Sequence, residues 1–324
     1  MTATGLPFDD IRNLLRELPP VDEDAAGRVR ASLRTGGGEG RLGRLPDLAA
    51  WYSAATGRAP GLVARPSVAL FAGTHGVSAR LGIDRPAASL LELVEEIASG
   101  AAPVSQLCGA NDLGLDVFDL ALEVPVGDIT IEAALEERDC AATIAFGMEA
   151  VASGADLLCL GTVGAQADVS ALALLRALRT GADGAAEAAP EETALAEEAL
   201  AAHAGYLGEP LEALRRLGGR EISALAGAIL AARTQKVAVV LDGLPALAAA
   251  AVLRGLNPAA LDHCLLADSG FSNEGGFEAL LPPPVCHSGT RDPAGLVLAA
   301  GMIKSACKVA SGAAEVAQRQ TAAS

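Results

Sequence analysis

The segment ADLLCLGTVGAQADVSALALL (155–175) sets an apolar run directly before a glycine-rich loop carrying Gly161, Thr162 and Gly164. A helix-like stretch follows from about residue 170. In α/β proteins this order of strand, loop and helix holds phosphate, because free backbone N–H groups and the positive end of the helix dipole face the anion. Asp168 stands where the helix should begin; it makes a good N-cap and a poor neighbour for a phosphate dianion. A second candidate is SNEGG (272–276), where Gly275 and Gly276 behind Glu274 allow a ligand to approach the backbone closely. His75, in the glycine turn AGTHGV, reads equally as a site residue or as a histidine satisfied within its turn. His263, beside an apolar run, is read as structural, His203 as a residue of a solvated helix, and Trp51 as a packing residue. His287 is near enough in sequence to pair with Asp292, but no third residue completes a nucleophilic triad. The cysteines and histidines have no metal-ligand spacing, and no cofactor is expected.

Composition narrows the partners. The 324 residues are 51% hydrophobic, enough for one large domain or two. The 24 basic and 40 acidic residues leave a formal charge of −16, with no Lys/Arg cluster, which argues against nucleic acid and anionic membranes. The six cysteines, Cys108, Cys140, Cys159, Cys264, Cys286 and Cys307, lack C-x-x-C spacing and several lie in apolar runs, so buried reduced thiols in a cytoplasmic protein are expected. The N-terminus has neither a basic start nor an apolar core of the secretory kind. The longest apolar segments, such as ISALAGAILAA (222–232), read as too short to span a bilayer.

The elements that must position these residues follow from periodicity. Apolar runs at 66–79, 114–122, 154–161, 236–244 and 261–268 read as strands, those at 114–122 and 154–161 as buried parallel ones. Helical patterns at 87–99, 101–110, 133–152, 170–180, 221–233 and 245–255 separate them. Alternation of this kind predicts an α/β fold with a doubly wound, mostly parallel, Rossmann-like sheet flanked by helices. Its ligands should lie beyond the C-terminal strand ends, where AGTHGV, GTVGAQAD, DGL and DSGFSNEGG fall. Residues 7–34 read as one or two amphipathic helices broken at PPVDED, 180–204 as a solvated helix with a loose entry, and 294–312 as a last apolar helix.

GRLGRLPDLAAW, VALFAGTHGV, GADLLCLGTVG, PLEALRRLGGREISALAGAILAARTQKVAVVLDG, AAAAVLRGLNPAALDHCLLA and SNEGG together resemble the nicotinate-nucleotide–dimethylbenzimidazole phosphoribosyltransferases of cobalamin (vitamin B12) lower-ligand synthesis. The resemblance covers nearly the whole chain. It implies a homodimer whose subunit has a small helical domain from the chain ends (1–60 with 285–324), packed through the 7–34 and 294–312 helices, and a large Rossmann-like domain (61–284). It implies a reaction in which 5,6-dimethylbenzimidazole attacks nicotinate mononucleotide, giving α-ribazole 5′-phosphate and nicotinate. A carboxylate near the last helix takes the proton of the base.

Placed position by position, that carboxylate falls on Asp292, an aspartate for the family's glutamate, with Arg291 beside it. Thr162 stands for a loop glutamate, and Ala167-Asp168-Val169 for the Asn-Thr-Thr that opens the helix. Like charges ~5 Å apart at an effective dielectric of about 20 cost roughly 3 kcal/mol, so Asp168 weighs against a phosphate there. Glu192 or a neighbour replaces a phosphate-binding lysine. Ile83 and Glu92 stand where the base pocket has a serine and a glutamine, and Thr74 where an Asp or Asn is usual. Ser272, Glu274, Gly275 and Gly276 keep the family signature. The departures open an alternative: a catalytically degenerate paralogue that acts as a base-binding or regulatory subunit, in a heterodimer with an intact relative. An enzyme of the same fold acting on a ligand without phosphate is a third.

Overall fold

The computed structural model describes residues 7–35, 41–83, 85–178, 189–269, 280–290 and 292–323. In chain order its elements are α1 (Asp9–Arg16), α2 (Glu23–Thr35), α3 (Leu45–Thr56), β1 (Pro66–Ala72), α4 (Pro86–Ala98), α5 (Pro103–Asn111), β2 (Gly114–Asp119) and α6 (Glu137–Gly147). Then follow β3 (Leu157–Thr162), α7 (Asp168–Ala177), α8 (Pro190–His203), α9 (Pro210–Leu217), α10 (Arg220–Thr234), β4 (Ala238–Leu241), α11 (Leu244–Leu256), β5 (Cys264–Leu266) and α12 (Ala294–Ala323). All five expected strands are present, and they pair in parallel in the order β2-β1-β3-β4-β5.

The two faces of this sheet are covered by different helices. β1, β4 and β5 are buried along their whole length and β3 along all but its last residue, as expected for strands with helices on both faces. β2 is the exception to the sequence reading. It pairs only with β1, at the edge of the sheet, and Gly114, Asp116 and Asp119 are exposed. Polar Asp116 and Asp119 sit where a central strand would carry apolar residues, which is how the edge position is tolerated.

Two core clusters result. One joins a sheet face to α6, α7, α10 and α11, the other joins the opposite face to α2, α3 and α12. The sequence pattern of 7–34 becomes two helices with different destinations. α2 packs with α3 and α12, whereas α1 buries Ile11 and Leu15 in the first cluster beside α11. α12 is longer than expected, and it is long and apolar enough to cross a membrane by length and composition. Its Leu296, Val297, Ala300, Ile303, Cys307 and Ala310 recur at helical spacing and are buried against the sheet and α3, so the stripe is accounted for by the core.

The tightest helix contact is between α6 and α10. A Cβ on Gly227 would overlap the Ile144 carbonyl oxygen, and one on Gly147 would overlap that of Ala224. Only glycine lets the two backbones approach so closely. Gly227→Ala should therefore destabilise the fold by about 2 kcal/mol or more, because overpacking forces the helices apart. Gly312→Ala, which meets nothing within 4 Å on an exposed face of α12, should gain about 0.5–1 kcal/mol. Urea midpoints of the two variants against the parent check both signs.

Candidate functional site

The strand order reverses between β1 and β3, and in a doubly wound sheet that reversal opens a crevice at the C-terminal strand ends. A cavity of about 290 Å³ lies there. Gly161, Thr162, Gly164, Ala165 and Asp168 line it from the end of β3 and the start of α7, and Asp242, Gly243 and Pro245 from the β4–α11 turn. Asp292 and Pro293 close it ahead of α12, and Leu93 of α4 forms a further wall. Gly161, Thr162, Gly164, Asp168 and Asp292, all singled out from sequence, are thus brought together from two distant parts of the chain.

Gly164 has φ +71°, a conformation side chains avoid, and a Cβ there would press on Leu90 Cδ2 at 3.0 Å. Asp168 is the first residue of α7 rather than its N-cap, a position occupied by Ala167. The carboxylate still lies in the helix's first turn, where the dipole favours it. Val169 points into the core, so the hydroxyl expected from the family pattern at that position would not face this cavity. Asp292 is exposed and accepts a hydrogen bond from Ala294 N at 2.8 Å through Oδ1, so it caps the start of α12 and keeps a second oxygen.

Asp242 is a site residue that the sequence reading does not single out, although it lies in the DGL loop. The legible signal is a carboxylate closing the apolar strand KVAVVLDG, at the end of the sheet where ligands sit. It is 4% exposed, and its Oδ1 has no hydrogen-bond partner among the described residues. Burial first, then the neighbouring Asp268 and Asp292 carboxylates, push its pKa up to about 8 against an opposing bond from the Gly243 backbone. Near neutral pH it is therefore mostly protonated and able to donate a hydrogen bond.

The other sequence candidates lie elsewhere. Thr74 is buried and donates to the Leu122 carbonyl at 2.9 Å. Ile83 is half-buried, with its amide on the Ser78 carbonyl, and Glu92 is exposed on α4 next to Leu93. Neither lines the cavity. Glu192 bonds the Ala189 amide at 3.2 Å at the start of α8. Ser272, Glu274, Gly275, Gly276 and Arg291 lie outside the described residues.

His75 is satisfied on both sides. Nε2 is 3.2 Å from each Glu221 carboxylate oxygen and Nδ1 is 3.1 Å from Ser170 Oγ. A Ser–His–Glu constellation therefore exists around His75, which the sequence reading leaves open between a site residue and a satisfied turn histidine, but all three side chains are buried and none lines the cavity. His203 is also buried rather than solvated, with Nε2 donating to the carbonyls of Ile129 and Glu132. His263 is structural as expected, with Nε2 on the Ile229 carbonyl. His287 is exposed and makes no hydrogen bond or ion pair with Asp292 among the described residues. Among those residues no group of three or more His, Cys, Asp or Glu could hold a metal ion.

Comparison with known proteins is consistent across sequence and structure. A family model described as phosphoribosyltransferase matches residues 18–320. Proteins named nicotinate-nucleotide–dimethylbenzimidazole phosphoribosyltransferase from Rhizobium meliloti and Sinorhizobium fredii are each 49% identical over 98% of both chains. A crystal structure bearing the same name, from Thermus thermophilus, superposes with a TM-score of 0.79 at 25% identity, covering 89% of this chain and 96% of that one.

Asp242 gives the site a pH signature. Its folded pKa, about 8, lies above its ordinary value of 3.8, so below pH ~4 both states hold the proton and nothing is lost. As pH rises towards 8 the unfolded chain releases that proton and the folded chain keeps it, and stability falls. The stability of Asp242→Asn relative to the parent should therefore increase between pH ~4.5 and ~8, by on the order of 2–4 kcal/mol. Urea unfolding at both pH values measures it, and a constant difference would mean that Asp242 is ionised throughout.

Proposed function

Since the chain belongs to the nicotinate-nucleotide–dimethylbenzimidazole phosphoribosyltransferase family, we propose that it transfers the ribose phosphate of nicotinate mononucleotide to a benzimidazole-type base. The products are α-ribazole 5′-phosphate and nicotinate. The observation that carries this reading is identity to enzymes of that name across nearly the full length of both chains. The geometry supports it, because the positions matched to the family's glycine loop and to its proton-accepting carboxylate meet in one cavity at the strand ends.

In this reading the second oxygen of Asp292 accepts the N–H proton of the base while Oδ1 stays on the α12 amide. The ring nitrogen then attacks C1′, the bond from C1′ to the nicotinate nitrogen breaks, and nicotinate leaves with the electron pair. Leu93, Pro245 and Pro293 offer apolar surface to a flat base. The amides of the glycine loop and the first turn of α7 supply donors for the phosphate. Asp242, held protonated by burial, contributes a donor instead of a third negative charge. Five of the six cysteines are buried and all are free, which fits a cytoplasmic site of action.

Asp292→Asn should lower turnover by about 100-fold or more while leaving the melting temperature nearly unchanged, because Asn caps a helix as well as Asp. Chromatographic detection of α-ribazole phosphate from nicotinate mononucleotide and dimethylbenzimidazole reads both proteins. No product from the parent chain would sink the proposed activity, and equal rates in the two would move the proton acceptor elsewhere. Asp168→Asn should tighten nicotinate mononucleotide by roughly tenfold or more, since a like charge ~5 Å from the phosphate is removed. Calorimetry decides this, and unaltered affinity would place the phosphate away from α7.

A further inference from the structure

The chain reaches Asp292 along a segment bound to the end of β5. Val285 N donates to the Leu266 carbonyl at 2.9 Å and Cys286 N to that of Ala267 at 2.8 Å. Where the backbone pairing ends, the side chain of Asp268 takes over. Its Oδ2 accepts from Ser288 N at 2.9 Å and Ser288 Oγ at 2.6 Å, and its Oδ1 from Gly289 N at 2.7 Å and Thr290 N at 3.2 Å. Asp268 is fully buried. Four donors converging on one buried carboxylate form a strong, directional clamp.

The first turn of α12 is fitted against this clamp. A Cβ on Gly295 would lie 3.2 Å from Asp242 Oδ2, 3.6 Å from Asp268 Cβ and 3.7 Å from Thr290 Cβ. Asp292 stands between the clamped residues 288–290 and that turn, with its own Oδ1 on Ala294 N and its carbonyl accepting from Gly295 N at 2.9 Å. Its place at the cavity is thus set from both sides by carboxylate-to-backbone bonds.

We propose that Asp268 is a positioning residue for the reaction: by gripping residues 288–290 it fixes where Asp292 presents its second carboxylate oxygen to the cavity. This rests on the reading of Asp292 as proton acceptor. The Asp268 side chain does not line the cavity. It acts through the loop.

Asp268→Asn keeps the shape but turns one acceptor into a donor facing Ser288 N, and Ser288→Ala removes a single bond of the clamp. In Asp268→Asn, kcat should fall about 10- to 100-fold, because small displacements of a reacting group are costly. KM for nicotinate mononucleotide should stay within about twofold, and Ser288→Ala should show the same split to a smaller degree. The decisive comparison is the double variant Asp268→Asn/Asp292→Asn. If Asp268 acts through Asp292, the double variant is no slower than Asp292→Asn alone. A merely structural contribution would slow it further by the factor seen in the single variant. Hydrogen exchange supplies a readout independent of turnover: the Ala294 and Gly295 amides should exchange faster in Asp268→Asn while α10 amides keep their protection. If the parent chain forms no product, the proposed activity fails and the exchange data alone judge the clamp. Should Asp268→Asn not fold, Ser288→Ala and its double variant with Asp292→Asn carry the same comparisons. Additive rate losses, or unchanged exchange at Ala294 and Gly295, would overturn the proposal.

Discussion

The contact between the His75 imidazole and the Glu221 carboxylate ties together three chain segments that no backbone ladder joins. His75 belongs to the turn after β1, Glu221 to the first turn of α10, and Ser170, on the other ring nitrogen, to the first turn of α7. Two glycines make room for it: a Cβ on Gly73 would meet Glu221 Oε2 at 2.5 Å, and one on Gly219 would overlap the imidazole. Burial works to raise the Glu221 pKa, but the charge and hydrogen bond of His75, a backbone bond and Arg220 outweigh it, and the net shift is downwards. Removing one member of such a pair strands the other in a dry interior at a cost of about 3–5 kcal/mol. The first turn of α7, which carries Asp168 to the cavity, is therefore anchored by a network whose energetics do not depend on what the cavity holds.

That anchoring separates the frame of the site from its lining. Gly161 packs under Leu70 and Leu296, and the Asp242 amide bonds the Leu160 carbonyl at 3.1 Å, so the loop backbones are fixed by the sheet itself. Thr162 and Asp168, by contrast, are only partly buried and Asp292 is exposed. Side chains of the second kind can change with little effect on folding, as surface substitutions generally do. The chain's departures from the family pattern at Thr162, Asp168 and Asp292 fall in this permissive layer.

The same division explains what is legible in the sequence. Strands and helices that bury continuous or periodic apolar faces, β1, β3, β4, β5, α10 and α11, begin within a few residues of where their patterns begin. The edge position of β2 and the separate packing of α1 are not legible, because both depend on which neighbour covers a face, a tertiary fact. Asp292 and the 161–168 loop can be placed at the cavity because glycine spacing and linear correspondence suffice there. The Ser170–His75–Glu221 network cannot, since its members lie 95 and 146 residues apart and each has an innocuous local context. Asp168 looks like an N-cap by residue type, yet the helix begins one residue earlier than that role requires.

A nucleotide phosphate and an acidic cavity can coexist only if the net charge of the lining is smaller than a count of carboxyl groups suggests. Asp168, Asp242 and Asp292 would oppose a phosphate dianion severely if all were ionised, at roughly 3 kcal/mol for each charge ~5 Å away. Burial of Asp242 beside Asp268 and Asp292 prevents this, since the group held closest to the core keeps its proton. Asp268, in turn, does not line the cavity and directs both oxygens onto the amides and hydroxyl of 288–290. The cluster thus resolves into one neutral donor, one carboxylate held by the 288–290 loop outside the cavity and two carboxylates facing the cavity. Of those two, Asp292 lies at the start of α12 and Asp168 at the start of α7, each in the field of a helix N-terminus that offsets part of its charge. The repulsion that remains at the phosphate end comes chiefly from Asp168, while the same negative field stabilises the positive charge that builds on the ribose C1′ as its bond to nicotinate breaks.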